Sequence, residues 1–141
     1  MSFTKIEQFI ANMNSIQHKN AKHVLANIYT EDIVFIDPVK SISGLDELTK
    51  YFEDLYQSVT ACHFTLTSHL PNSHRYSLEW LMHLQHKKIS NNQEIELNGA
   101  SFIEFKDEKV CYHRDYYDLG ALVYERIPIL GSVIRKVRHA I

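Results

Sequence analysis

The sequence predicts an α+β domain in which N-terminal helices pack inside a curved antiparallel sheet and a C-terminal amphipathic helix follows. Three observations carry this. Apolar residues recur at helical spacing as far as Val59, they alternate with polar ones from Cys62 to Asp118, and the alternating segments are joined by turns too short for crossover helices. No Pro-, Gly- or Ser-rich linker interrupts the 141 residues, a length at which folding buries roughly two-thirds of the unfolded surface. A domain over residues 1–118 is therefore expected, with a helical extension over 119–141 packed on it.

Thr4-Lys5-Ile6-Glu7 has the spacing of a capping box, and Ile6, Phe9, Ile10, Met13 and Ile16 then mark a helix to about Gln17. Asn20 is placed to cap a second helix that buries Val24, Leu25, Ile28 and Tyr29. The apolar run Ile33-Val34-Phe35-Ile36 reads as a strand. Pro38 ends it, having no N–H to donate, and biases Asp37 towards extended geometry. Ser43 is expected to cap a third helix, with Asp46 and Glu47 favoured in its first turn and Leu45, Leu48, Phe52, Leu55 and Val59 on one face.

From Cys62 the period becomes two. Cys62, Phe64, Leu66 and Leu70 share one parity before a turn at Pro71-Asn72-Ser73, and Tyr76, Leu78, Trp80, Met82 and Leu84 share the next strand's inner face. Ile95, Leu97, Gly99, Ser101, Ile103 and Phe105 follow, with Gly99 marking a bulge or a close ligand approach. The last strand divides into Cys111, His113, Asp115 and Tyr117 on one parity and Val110, Tyr112, Arg114, Tyr116 and Asp118 on the other. Both sets carry polar groups, so alternation does not orient it. Pro128 suits the first turn of a final helix with Leu130, Val133, Ile134, Val137 and Ile141 in one stripe and Arg135, Lys136, Arg138 and His139 elsewhere. That helix is expected to pack on its own domain; a subunit contact or attachment to an anionic membrane surface are the other readings.

Composition narrows the function classes. A net charge of −2 shows no basic excess, so no nucleic-acid partner is expected. Cys62 and Cys111 stand in no metal-type spacing and read as core fillers, and His83 and His86, three apart on a strand, face opposite ways, so no metal is expected. The N-terminus lacks the apolar core of a secretory leader and no run approaches the roughly 20 apolar residues of a membrane span, which makes a cytoplasmic protein the expectation.

Asp37 is the first candidate functional residue. An acid at the end of a buried strand is either a turn-capping group or a base in a pocket, and its local sequence is compatible with both.

The run Tyr29-x-x-Asp32-x-x-Phe35-x-Asp37-Pro38, with Gly44 opening a helix and Lys109-Val110 starting the last of four long strands, resembles the nuclear-transport-factor-two-like superfamily. That superfamily includes SnoaL-like polyketide cyclases and ketosteroid isomerases. The resemblance covers roughly residues 3 to 118 and implies a cone-shaped α+β barrel with a pocket between helices and sheet. It makes Asp37 a candidate base. It also places Met13 and Ser101 where ketosteroid isomerases carry their two oxyanion donors, so this chain is not expected to be a ketosteroid isomerase.

The same resemblance turns His113, Asp115 and Tyr117 inward, giving a candidate catalytic set of Asp37, His113, Asp115 and Tyr117. The candidate ligand pocket comprises Met13, Tyr29, Phe35, Phe52, Leu55, Trp80, Met82, Gly99 and Ser101. The implied function is an isomerase, cyclase or hydratase that needs no cofactor and acts on a small apolar, lipid-like or polycyclic molecule. The alternatives are a hydrophobic-ligand carrier and a dimeric structural or regulatory module. A homodimer through the outward sheet face, with Thr65, Thr67, Glu79, Leu81, His83 and Phe102, is expected from the family.

Overall fold

The computed structural model describes residues 4–123 and 126–141. Two helices, α1 (Lys5–Asn14) and α2 (Ala21–Ile28), lead into strand β1 (Tyr29–Ile36) and a short β2 (Ser41–Ser43). Helix α3 (Leu45–Tyr56) follows, then β3 (Val59–Asn72), β4 (Arg75–His86), β5 (Ile95–Lys106) and β6 (Lys109–Tyr117), and finally α4 (Leu119–Leu122) and α5 (Pro128–Ala140). The α+β class is as the sequence predicts. The six strands form one curved, unclosed sheet in the order β2-β1-β6-β5-β4-β3, with the core between its inner face and the first three helices.

One pairing departs from the expected antiparallel sheet. β1 runs parallel to β6, with Phe35 opposite His113 and Ile36 opposite Arg114. Inserting β6 between β1 and β5 brings residues from both ends of the domain onto one inner face. Helix α1 is tied to the far edge of the sheet by Asn14, whose amide donates to the Phe64 carbonyl at 2.9 Å and accepts from the Phe64 N–H at 2.7 Å.

Several boundaries differ from expectation for identifiable reasons. The Thr4–Glu7 capping box forms, but α1 stops at Asn14 instead of near Gln17. The Asn20 side chain accepts from the Gln17 N–H and donates to the Ser15 carbonyl, which holds a turn there and leaves no side-chain cap for α2. The first strand begins at Tyr29, four residues before the apolar run. Ser43 does not cap α3: it lies in β2 opposite Val34, and Gly44, at φ 98°, takes the cap position that a residue with a Cβ would occupy only under strain. Val59 belongs to β3 and not to the α3 stripe. Asn72 and Pro71 remain in β3, and the turn falls at Ser73, at φ 59°.

The largest parity error lies in β3. A register shift between Leu66 and Ser68 reverses the alternation, so that His69 pairs with buried Leu78 while Leu70 pairs with Ser77 and is 70% exposed. A bulge adds one residue to one strand and moves every later side chain to the other face. The final helix is the other departure. Leu122 of α4 is buried, but Ile129, Leu130, Val133, Val137 and Ile141 of the α5 segment are exposed rather than packed on the domain. No helix among the described residues is long and apolar enough to cross a membrane.

Candidate active site

Three cross-strand rows build the site. β6 sets His113 between Phe35 and Ile103, Asp115 beside Ser101, and Tyr117 beside Gly99, while β4 sets Trp80 on the other side of Gly99. Helix α3 and the turn after β1 close the opposite wall. Between them lies a cavity of about 490 Å³ with mainly apolar walls, into which Asp37 and Asp115 both open. Its volume falls within the range of small-molecule sites.

Asp115 is held from behind. His113 Nε2 lies 2.6 Å from Asp115 Oδ1, the Ser101 hydroxyl donates to the same oxygen at 2.5 Å, and the Trp80 indole N–H donates to Ser101 at 2.8 Å. On the far side of the ring, Tyr29 Oη is 2.7 Å from His113 Nδ1. With an Nε2 hydrogen directed at Asp115, Nδ1 is placed to accept from the Tyr29 hydroxyl, whose other neighbour is Met13 Sδ at 3.7 Å. The ring is buried in an aromatic box, with Phe35 and Phe9 edge-on at 4.9 and 5.5 Å. Asp115 Oδ2 accepts no hydrogen bond from a described residue. That oxygen is the free acceptor of the network.

Asp37 is differently occupied. Its Oδ1 accepts the Val39 and Lys40 N–H groups, each at 2.8 Å, and its Oδ2 accepts the Tyr51 hydroxyl at 2.7 Å. Both readings of this residue hold together: it caps the turn after Pro38 and it faces the cavity. Both of its oxygens are already engaged, whereas Asp115 keeps Oδ2 open to the cavity.

Two phenols complete the lining. Burial, and then the Asp37 and Asp115 charges, hold the Tyr117 hydroxyl well above its ordinary pKa; burial followed by its bond to Asp37 does the same for Tyr51. Both stay protonated at neutral pH, and Tyr51 donates to Asp37. The Cys62 thiol in the same wall is pushed up to about 11 by burial. Among the described residues, no group of three or more His, Cys, Asp or Glu side chains is arranged to hold a metal ion.

Of the residues singled out from sequence, Asp37, Asp115 and Tyr117 line the cavity, as do Met13, Phe35, Phe52, Leu55, Trp80 and Met82. The remaining four do not. His113 lies behind Asp115 and is 2% exposed, and Tyr29 is fully buried between His113 and Met13. Ser101 links Trp80 to Asp115. Gly99 admits no ligand, because the Trp80 ring lies where a Cβ would project. Sequence reasoning missed Tyr51 and the contribution of Leu119, Leu122 and Val123 from beyond the barrel. Tyr51 could have been found from its place beside Phe52 on the inner arc of α3; nothing local marks the tail residues.

The sequence profile of the SnoaL-like domain matches residues 6–113. No curated protein matches the chain. Among solved structures, a Catenulispora acidiphila protein with a ketosteroid-isomerase-like fold, determined with trimethylamine, superposes with a TM-score of 0.72 at 13% identity, covering 86% of this chain and 91% of that one. A Jannaschia protein ascribed to the SnoaL-like polyketide cyclases gives 0.66 at 9% identity, over 86% and 96%. A Burkholderia pseudomallei protein of the nuclear-transport-factor-two-like fold, of unknown function, gives 0.67 at 11% identity, over 94% and 97%. These likenesses establish the fold. The matched profile ends at His113, two residues before the acid that the site is built around. The chain belongs to the SnoaL-like domain family.

Proposed function

We propose that this protein catalyses proton transfer on a small, mostly apolar carbonyl compound, an isomerisation or cyclisation driven by Asp115. The observation that carries the reading is the free Oδ2 of Asp115 in an apolar cavity, backed by His113 and Ser101 on Oδ1. Asp115 removes a proton from a carbon next to the carbonyl, and the Tyr117 hydroxyl donates to the oxygen on which charge develops. The same carboxyl group returns the proton to a different carbon, so no other reactant is consumed. His113 is a positioning residue: its N–H keeps the carboxylate oriented and compensates its charge away from water.

Deuterium uptake tests this directly. The protein is incubated in D2O with a panel of small cyclic ketones and enones, and label at carbon is read by mass spectrometry. Uptake that Asp115→Asn abolishes and Asp37→Asn retains is the expected result; no uptake across the panel, or uptake indifferent to Asp115→Asn, defeats the reading. A carrier of apolar ligands is the second reading, favoured by the complete hydrogen bonding of Asp37 and of both His113 nitrogens. Native mass spectrometry showing a bound lipophile that is never converted would select it.

We also propose a homodimer through the outward sheet face. The exposed Phe102 and Tyr116 rings, 5.8 Å apart, and Leu70 in the same cross-strand row as Phe102 supply an apolar patch there. Sedimentation equilibrium of Phe102→Glu against the parent chain checks it.

A further inference from the structure

We infer that α5 is a docking surface for an anionic lipid membrane. Its apolar residues form one continuous arc: at 100° per residue, Ile129, Val133, Val137, Leu130, Ile141 and Ile134 fall in sequence around less than half of the helix. Five of the six are exposed, from 42% at Leu130 to 101% at Ile141, and Ile134, at the edge of the arc, is half-buried. Lys136 and Arg138 flank its two edges, and Arg135 lies opposite.

Charge decides what covers it. The net −2 of the chain divides into +4 over residues 126–141, which contain no Asp or Glu, and −6 over residues 1–125. A second copy of the helix laid on the first would set two cationic segments with no acidic residue against each other. An anionic bilayer instead accepts the stripe into its acyl boundary and Lys136, at the edge away from the Arg138–Asp118 pair, at its headgroups. The acidic remainder is repelled by the same surface, which sets the orientation: tail towards lipid, body away.

The helix is held to the body at its last turn and just before its start. Arg138 pairs with Asp118 at 2.9 Å, and Arg126 donates to the Ala121 carbonyl at 2.9 Å and to Ser90 at 3.2 Å. Docking therefore carries the cavity with it. Leu119, Leu122 and Val123 line that cavity immediately before α5 begins, so the rim they form comes to lie beside the bilayer. The lipid contact stands independently of any chemistry in the cavity.

Co-sedimentation of the full chain with vesicles tests the inference. Vesicles of phosphatidylcholine alone are compared with phosphatidylcholine containing phosphatidylglycerol, using the parent chain, Val133→Glu/Val137→Glu and Arg135→Glu/Lys136→Glu, each first shown to be folded by circular dichroism. The parent chain is expected to bind the anionic vesicles and not the neutral ones, to lose binding between about 0.05 and 0.5 M salt, and to bind at least roughly tenfold less in either double variant. Absence of binding, or equal binding to both vesicles, overturns it. So does binding that both variants retain. Concentration-dependent self-association lost in Val133→Glu/Val137→Glu, without vesicle binding, overturns it in favour of a contact between copies.

Discussion

His113 and Asp115 stand two apart on one strand and share a hydrogen bond of 2.6 Å, with the imidazole buried and the carboxylate at the cavity wall. The second nitrogen of the ring ends on Tyr29, 84 residues away in sequence. Tyr29→Phe keeps the ring and removes the hydroxyl, leaving Nδ1 buried without a partner. The expected loss is about 1–3 kcal/mol, read as a lower urea midpoint at unchanged slope. An unchanged midpoint would show that the Tyr29 bond contributes nothing net.

Gly99→Ala should destabilise by a comparable amount for a different reason. The added methyl meets the Trp80 ring, and that ring cannot withdraw freely because its N–H is committed to Ser101. Overpacking of this kind costs about 1–3 kcal/mol. Thermal unfolding measures it; a Tm equal to the parent's would mean that Trp80 has room to shift.

Stability should fall at alkaline pH. Burial holds the hydroxyls of Tyr29, Tyr51, Tyr56 and Tyr117 above their ordinary pKa in the folded chain. In the unfolded chain they ionise near pH 10. Below that value both states carry the same protons and the contribution is constant; above it the unfolded state holds fewer, so stability declines as pH rises. Phenolate absorbance from these residues should therefore appear together with loss of structure. Titration of all four in a chain that remains folded would contradict their burial.

Cys62 offers a reporter for the cavity. With its thiol pushed up to about 11 by burial, the thiolate fraction at pH 8 is on the order of a hundredfold below that of a free cysteine, and alkylation should be slower in proportion. A ligand filling the cavity should slow it further, since Cys62 lines the wall. Alkylation timed with and without a co-purified lipophile reads both effects.

Legibility followed the range of the interactions involved. Trp80, Met82, Ile103 and Phe105 alternate cleanly because each strand has one wet and one packed face, and the Thr4 capping box rests on four consecutive residues. Ser43 looked like a helix cap because its local pattern suits one, yet pairing with Val34 claimed it for the sheet. Leu70 kept its parity on paper, and one bulge reversed it. Within the site, the inward parity of His113, Asp115 and Tyr117 came from family resemblance, whereas the division of labour between the two acids depends on which N–H and O–H groups surround each. Of those partners, Tyr51 and Ser101 each stand 14 residues from the acid they bond, and only folding brings them in, as it brings Tyr29 to His113. The exposed α5 stripe was misjudged because a helix records that it needs a partner, not which one.

The parallel pairing of β1 with β6 has a consequence for biosynthesis. When the ribosome has made the first three helices and four of the long elements of the sheet, β1 still lacks its central neighbour, and the edge of β5 that will receive β6 is open as well. Contacts spanning this much chain close slowly, and unpaired strand edges invite other chains meanwhile. Tyr29 must therefore wait, already synthesised and apolar-walled, for His113 to emerge. The hydrogen-bond network is among the last parts of the molecule to exist, and a nascent chain stopped short of Tyr117 has the walls of a pocket without the strand that joins them.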